Sequence, residues 1–231
     1  MAPAGNAPER AVRSATRARA RVALALLIAV AAGLPAMATA HPHAWIDLRV
    51  TLDFDADGRL ASMHQLWVID PTYSHMLLEE MTRDMDGDAG IDSVLDKVGP
   101  RMLDNLAEYD HFTELEAGGE TLDTPPAESP ELRLEERRLH LGFEIPLDRH
   151  DIGAEEDFTY RVYDPTYWIE IRHDPGDVIQ VNRGDGCRVE LEEPRPDPQL
   201  VRYAATLERE SRSPIEDLGR HFAEIARLEC E

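Results

Sequence analysis

HAWIDLRVTLDF (residues 43–54) alternates apolar and polar positions, with Ala44, Ile46, Leu48, Val50, Leu52 and Phe54 on one side. A period of two predicts a half-buried strand. The turn signal DADG (55–58) follows, and RLASMHQLWVID (59–70) returns as a second strand, so the pattern opens on a hairpin. At Asp70-Pro71 the period changes. Asp suits a helix N-cap and Pro the first helical position. Tyr73, Leu77, Met81 and Met85 then form a stripe at four-residue spacing. After the loop DMDGDAG (84–90) a second helix presents Leu95, Val98, Met102, Leu106 and Tyr109 on one face. Gly99-Pro100 is expected to kink or break it.

From His111 the pattern returns to strands: HFTELEAG, ELRLEER, RLHLGFEIPL, DFTYRVYD, YWIEIRH, DVIQVN and CRVELEE. TPPAESP (124–130) and EPRPDP (193–198) read as loops. Two closing helices are predicted near 198–210 and 215–229, the second burying Ile215, Leu218, Phe222, Ile225 and Leu228. This order predicts an α+β fold: a mostly antiparallel sheet, an N-terminal hairpin, a helix pair and C-terminal helices. Residues 41–231 are enough for one domain, with 41–123 and 131–231 as its sub-lobes if it divides.

The first forty residues have a different character. Arg10, Arg13, Arg17, Arg19 and Arg21 precede the apolar run VALALLIAVAAGL (22–34), and Ala38-Thr39-Ala40 fits the small-x-small rule of signal peptidase. The run is too short for a stable membrane span, so 1–40 reads as a cleaved secretory signal. With no adjacent arginine pair, the general secretory route to the periplasm is expected. No second apolar run follows, so no membrane insertion is expected after cleavage. The leader carries five arginines against one acid, Glu9, so its loss takes the formal charge from −22 to −26. Such acidity argues against nucleic acid and anionic lipid as partners. It suits both a salt-tolerant surface and attraction of cations.

Cys187 and Cys230 are the only cysteines. In an oxidising compartment an even count suggests one disulfide. Thiolate metal ligation is the weaker alternative, because the pair lacks ligand-like spacing.

Cleavage after Ala40 would make His41-Pro42-His43 the new N-terminus. At i and i+2 of an extended segment both imidazoles face one side and can converge on one ion. The α-amine and ring of an N-terminal His can also chelate a metal together, in the manner of a histidine brace. The amino-terminal copper/nickel chelate with His third is excluded, because it needs a deprotonated amide where Pro42 has none. Imidazole suits zinc, copper, nickel and cobalt alike. Two histidines are an incomplete site, so further ligands must come from elsewhere. The bland alternative is an exposed terminus with no ligand role.

A second signal is a repeat. Asp-Pro-Thr-Tyr occurs at 70–73 and again at 164–167. The first copy opens a helix, so Asp70 has a capping job. The second leads into a strand, which leaves Asp164 for a buried turn network or a metal ligand. His75 and Glu79 have i, i+4 spacing but read as solvated side chains. The loop at 84–92 places Asp84, Asp86 and Asp88 at calcium-ligand spacing. Ala89 stands where Gly is needed, and Leu95 where a bidentate Glu is needed, so calcium is not expected. No nucleophile motif or phosphate-binding loop is present, and the chain reads as a non-enzyme. A copper-dependent oxidase built on the brace is the enzymatic alternative.

HPHAWID, Trp67-x-x-Asp70, the Asp-rich inter-helix loop, NLAEYDHFTEL (105–115), VYDPTYW (162–168), Cys187 and LGRHFAEIARLEC (218–230) together resemble a bacterial periplasmic family of formally unassigned function. That family is often labelled an uncharacterised ABC-type transport periplasmic component. The resemblance covers nearly the whole mature chain, HPH and YDPTY being its most specific parts. Members of the family are commonly encoded beside RcnA-like nickel/cobalt permeases, and ZevA-like members are implicated in zinc uptake. The resemblance implies a metal-handling partner of an inner-membrane permease, with His41 and His43 at matching motif positions. The expected function is therefore binding of zinc, nickel or cobalt and its delivery to the permease, with Asp164 as a further candidate ligand. The alternative is a metal-free acidic module that docks a membrane transporter.

Overall fold

The expected hairpin forms from β1 (Ala44–Phe54) and β2 (Leu60–Ile69), antiparallel with Ile46 opposite Ile69 and Leu52 opposite Met63. The six apolar residues of β1 are all buried, as the period of two requires. The computed structural model describes residues 41–83, 90–176, 179–208 and 213–230. The reading of 1–40 as a secretory signal lies outside these residues, as do positions 84–89 of the 84–92 loop read as a poor calcium site. The described residues belong to one compact unit.

Two helices follow, α1 (Pro71–Arg83) and α2 (Ile91–Leu106). α2 runs through Gly99-Pro100 instead of breaking there, with Val94, Leu95, Gly99 and Leu103 buried. Gly99 is needed for this contact: a Cβ there would lie 3.1 Å from the Leu132 Cβ. Burial of this face offsets a proline cost of about 3 kcal/mol.

The strands β3 (Thr113–Ala117), β4 (Glu120–Leu122), β5 (Glu128–Glu135), β6 (Arg138–Pro146), β7 (Phe158–Val162), β8 (Ile169–His173), β9 (Gln180–Asn182), β10 (Cys187–Glu192) and β11 (Ile225–Cys230) complete two sheets. One has the order β5-β6-β2-β1-β8, with β9 also on β1, and the other β10-β11-β7-β3-β4. Pairing is antiparallel except where β1 meets β8 and β9. The loop expected at 124–130 is shorter, because β5 already begins at Glu128, and strands from both sides of it enter both sheets. Their inner faces share one core, with Leu48, Met63 and Phe143 from the first sheet and Leu115, Phe158 and Tyr160 from the second.

The α+β class stands, but the C-terminal end differs from the expectation. α3 (Pro198–Ala204), capped by Asp197, is short. In place of a second helix over 215–229 there is a 3-10 turn at Leu218–Phe222 and then β11. Ile225–Cys230 carries a period of two as well as helical spacing, with Ala226 and Leu228 buried. Pairing decides between them: β11 fills the gap between β10 and β7 and sets Cys230 opposite Cys187. Those cysteines form the disulfide, at a Cα separation of 4.0 Å.

The sheets are also tied by polar groups. The buried His173 ring of β8 lies between Tyr160 Oη (3.0 Å from Nε2) on β7 and Glu224 Oε2 (2.9 Å from Nδ1) just before β11. Glu224 Oε2 also accepts from the His173 amide at 2.7 Å.

Candidate functional site

The HPH segment and the repeated tetrapeptide are separate signals in the sequence and one neighbourhood in the fold. HPH lies immediately before β1. The His43 amide donates to the Trp168 carbonyl at 2.8 Å, and Ala44 then pairs with Ile169 in the parallel ladder. One residue further, Trp45 is bound to the first motif. Its amide donates to Asp70 Oδ2 at 3.1 Å, and its carbonyl accepts from the Asp70 amide at 2.9 Å. Asp70 Oδ1 accepts from the amides of Thr72 (2.9 Å) and Tyr73 (3.0 Å), the capping role expected of it. One carboxylate therefore starts α1 and fixes the entry of β1.

The second motif is organised by Asp164, 5% exposed. Oδ1 accepts from the Thr166 amide and hydroxyl, each at 2.8 Å. Oδ2 accepts from the Ile169 amide at 2.9 Å and faces the Thr166 hydroxyl at 3.0 Å. Of the two roles open to Asp164 in the sequence, the structure displays the buried turn network. Gly219 packs against its backbone so closely that a Cβ would lie 1.9 Å from the Asp164 carbonyl oxygen.

Four aromatic rings run through the neighbourhood. His41 and His43 meet at a centroid distance of 4.7 Å, with their planes at 70°. His43 reaches Trp168 at 5.5 Å, and Trp168 reaches Tyr73 at 5.3 Å. His41 is 5% exposed and His43 is half-buried. Burial, and then the negative charges of Asp164, Glu80 and Asp70, push the Tyr73 hydroxyl above its ordinary pKa. The sequence-predicted pair His41 and His43 is thus brought together. Tyr73 and Trp168 are additions that the sequence reading missed, although each belongs to or directly follows a copy of the repeat.

Among the described residues no group of three or more His, Cys, Asp or Glu side chains is arranged to hold a metal ion. His75 and Glu79 form an exposed i, i+4 pair at 3.4 Å. Among the described residues no helix is long and apolar enough to cross a membrane. A cavity of about 670 Å³ opens elsewhere, lined by Phe112, Glu114, Tyr163, Pro165 and Asp217 among others. It touches the second motif at Pro165 but includes neither histidine. At its edge Asp110, His111 and Phe112 follow one another at φ 50°, 53° and 56°, a left-handed run without glycine. Glu114 is charged there: burial raises its pKa, but hydrogen bonds from Arg220 and Tyr163 and the charges of Arg161 and Arg220 outweigh that and hold it below the usual range.

An uncharacterised protein of Haemophilus influenzae (strain ATCC 51907 / DSM 11121 / KW20 / Rd) is 24% identical over 195 residues, covering 83% of this chain and 92% of the relative. No solved structure matches the chain. The sequence model of a family described as "Protein of unknown function (DUF1007)" matches residues 26–230, and the chain belongs to that family.

Proposed function

We propose that this chain is a periplasmic accessory protein that binds a divalent transition metal, zinc or nickel/cobalt, and hands it to an inner-membrane permease. The observation that carries the reading is the approach of the His41 and His43 rings to 4.7 Å where both repeat motifs meet β1. A metal–imidazole bond of about 2.0–2.1 Å puts a ring centroid about 3.2 Å from the ion, so two rings sharing one ion at about 90–110° lie about 4.5–5.2 Å apart. The observed spacing falls in that range. Asp164 is left out of the ligand set, because its oxygens already hold the turn. The disulfide suits an oxidising compartment. The permease partner and the link to ZevA-like, zinc-handling proteins rest on the sequence resemblance.

The test is calorimetric titration of metal-free mature protein with Zn²⁺, Ni²⁺, Co²⁺ and Cu²⁺, beside the His41→Ala, His43→Ala double variant. One tight, equimolar site lost in the variant, with the apo melt nearly unchanged, is the expected result. Equal binding by both proteins, or none, sinks the reading. It leaves the metal-free docking module, favoured by Trp45, which stands 49% exposed beside Glu170 at the same end of the sheet.

A further inference from the structure

The metal reading leaves a gap in the ligand set. Two imidazoles lie in contact, and among the described residues no third His, Cys, Asp or Glu side chain completes a metal-binding group with them. Zinc sites of the tight kind take three or four protein ligands. Asp164, the remaining sequence candidate, spends both oxygens on the amides of Thr166 and Ile169 and on the Thr166 hydroxyl. A donor that is not one of these side chains is therefore required.

We infer that the missing ligand is the α-amine of His41, so that removal of the leader assembles the metal site. The inference rests on the metal reading above and on cleavage between Ala40 and His41. The geometry follows from covalent structure. In an N-terminal His the α-nitrogen and Nδ1 of the same residue close a chelate ring on one ion. His43, whose ring meets that of His41 edge-on at 4.7 Å, adds a third nitrogen. In the precursor the same backbone nitrogen is an amide with its lone pair delocalised into the peptide bond, and it cannot ligate without losing its proton. A chain still carrying its leader has two imidazoles only. Processing therefore completes the metal site: the chain gains its full affinity only once the leader is removed, where the cargo is collected. An all-nitrogen set also favours zinc, copper, nickel or cobalt over calcium and magnesium, which prefer oxygen.

The chain offers a clean readout. Lys97 is its only lysine, and it stands exposed on α2. The mature protein therefore has two primary amines, and an amine-acylating reagent near neutral pH with peptide mass analysis reports each separately. The protein compared is the exported chain, verified by intact mass to begin at His41, with a form that retains Ala40 in front and with the His41→Ala, His43→Ala variant. The probe is Zn²⁺ alone, which does not deprotonate a peptide amide near neutral pH.

The expected result has two parts. Retaining Ala40 weakens binding by about tenfold or more, while the thermal melt of the apo protein stays unchanged. Saturating metal protects the α-amine of the mature chain from acylation and leaves Lys97 labelled to the same extent. Equal affinity with and without Ala40, and an α-amine still labelled in metal, overturns the brace. If the double variant still loses binding in that case, the metal reading itself survives. An exported chain that begins at another residue also overturns the brace. No binding by any form overturns both.

Discussion

The rings of Tyr73 and Trp168 lie 5.3 Å apart, one closing the first Asp-Pro-Thr-Tyr copy and the other directly following the second. This contact explains how two motifs with different local roles, a helix start and a strand start, serve one place. Trp168 also holds His43 by two contacts, its carbonyl and its ring. Trp168→Leu keeps the carbonyl and most of the apolar volume but removes the ring. On the proposed metal reading, metal affinity is expected to fall about tenfold, the lower end of what outer contacts to a ligand are worth, with a small shift in the apo melt. Calorimetry with Zn²⁺ on both proteins checks it, and unchanged affinity would reduce the contact to packing.

Asp164 gives a prediction of the opposite kind. Asp164→Ala removes the buried carboxylate that accepts from the Thr166 and Ile169 amides, and a hydrogen bond to a charged group is worth about 1.5–3 kcal/mol. Stability to urea is expected to fall by about 2–4 kcal/mol, with metal stoichiometry retained. Gly219→Ala should be at least as damaging, because its methyl would meet the Asp164 carbonyl oxygen at 1.9 Å with only backbone to give way. Overpacking of this kind costs about 3 kcal/mol or more. Loss of metal binding in Asp164→Ala without loss of stability would restore Asp164 as a ligand.

The hairpin, the capped helix at Pro71 and the strand series from His111 were legible in the sequence because each carries its own local period or cap. The disulfide followed from compartment and count. The fate of 215–229 was not legible. Ile225–Cys230 satisfies both a helical and an extended pattern, and pairing with β10 and β7, remote in sequence, decides between them. The same limit applies to the site. HPH and the repeat were each visible, but their meeting depends on the parallel pairing of β1 with β8 across 125 positions, Ala44 to Ile169. The Tyr160–His173–Glu224 relay left no trace, since its members stand on three separate elements.

That relay sets a pH dependence. Burial raises the pKa of Glu224, but hydrogen bonds from the ring and amide of His173, and the charges of His173 and Arg172, outweigh burial and hold it below the usual carboxylate range. A depressed folded pKa means that the unfolded chain binds the proton first as pH falls. The stability from this group is therefore present above the unfolded Glu pKa of about 4.3, and it is lost as pH falls through the folded value. Glu224→Gln is expected to cost about 1–3 kcal/mol at pH 7, a deficit that starts to shrink as pH falls below the unfolded Glu pKa of about 4.3 and goes on shrinking through the depressed folded value. Urea unfolding at pH 7, 5 and 3.5 tests this. A deficit that does not shrink at the acid end would mean that shape, not charge, holds the two sheets together there.

The disulfide closes the last strand onto the edge of its sheet, with Cys187 and Cys230 directly opposed across β10 and β11. Their sequence separation is 43. On the chain-entropy model a loop of that size is worth about 4 kcal/mol. The double change Cys187→Ser, Cys230→Ser is expected to lower unfolding stability by that order while leaving metal affinity at HPH unchanged, since HPH enters the other sheet. β11 also carries the approach of Glu224 to His173, so part of the loss should come from a loosened relay. Combining the cysteine changes with Glu224→Gln should then cost less than the sum of the two, because residues sharing one element do not act independently. Strict additivity in urea unfolding would show that β11 stays docked without its covalent tie.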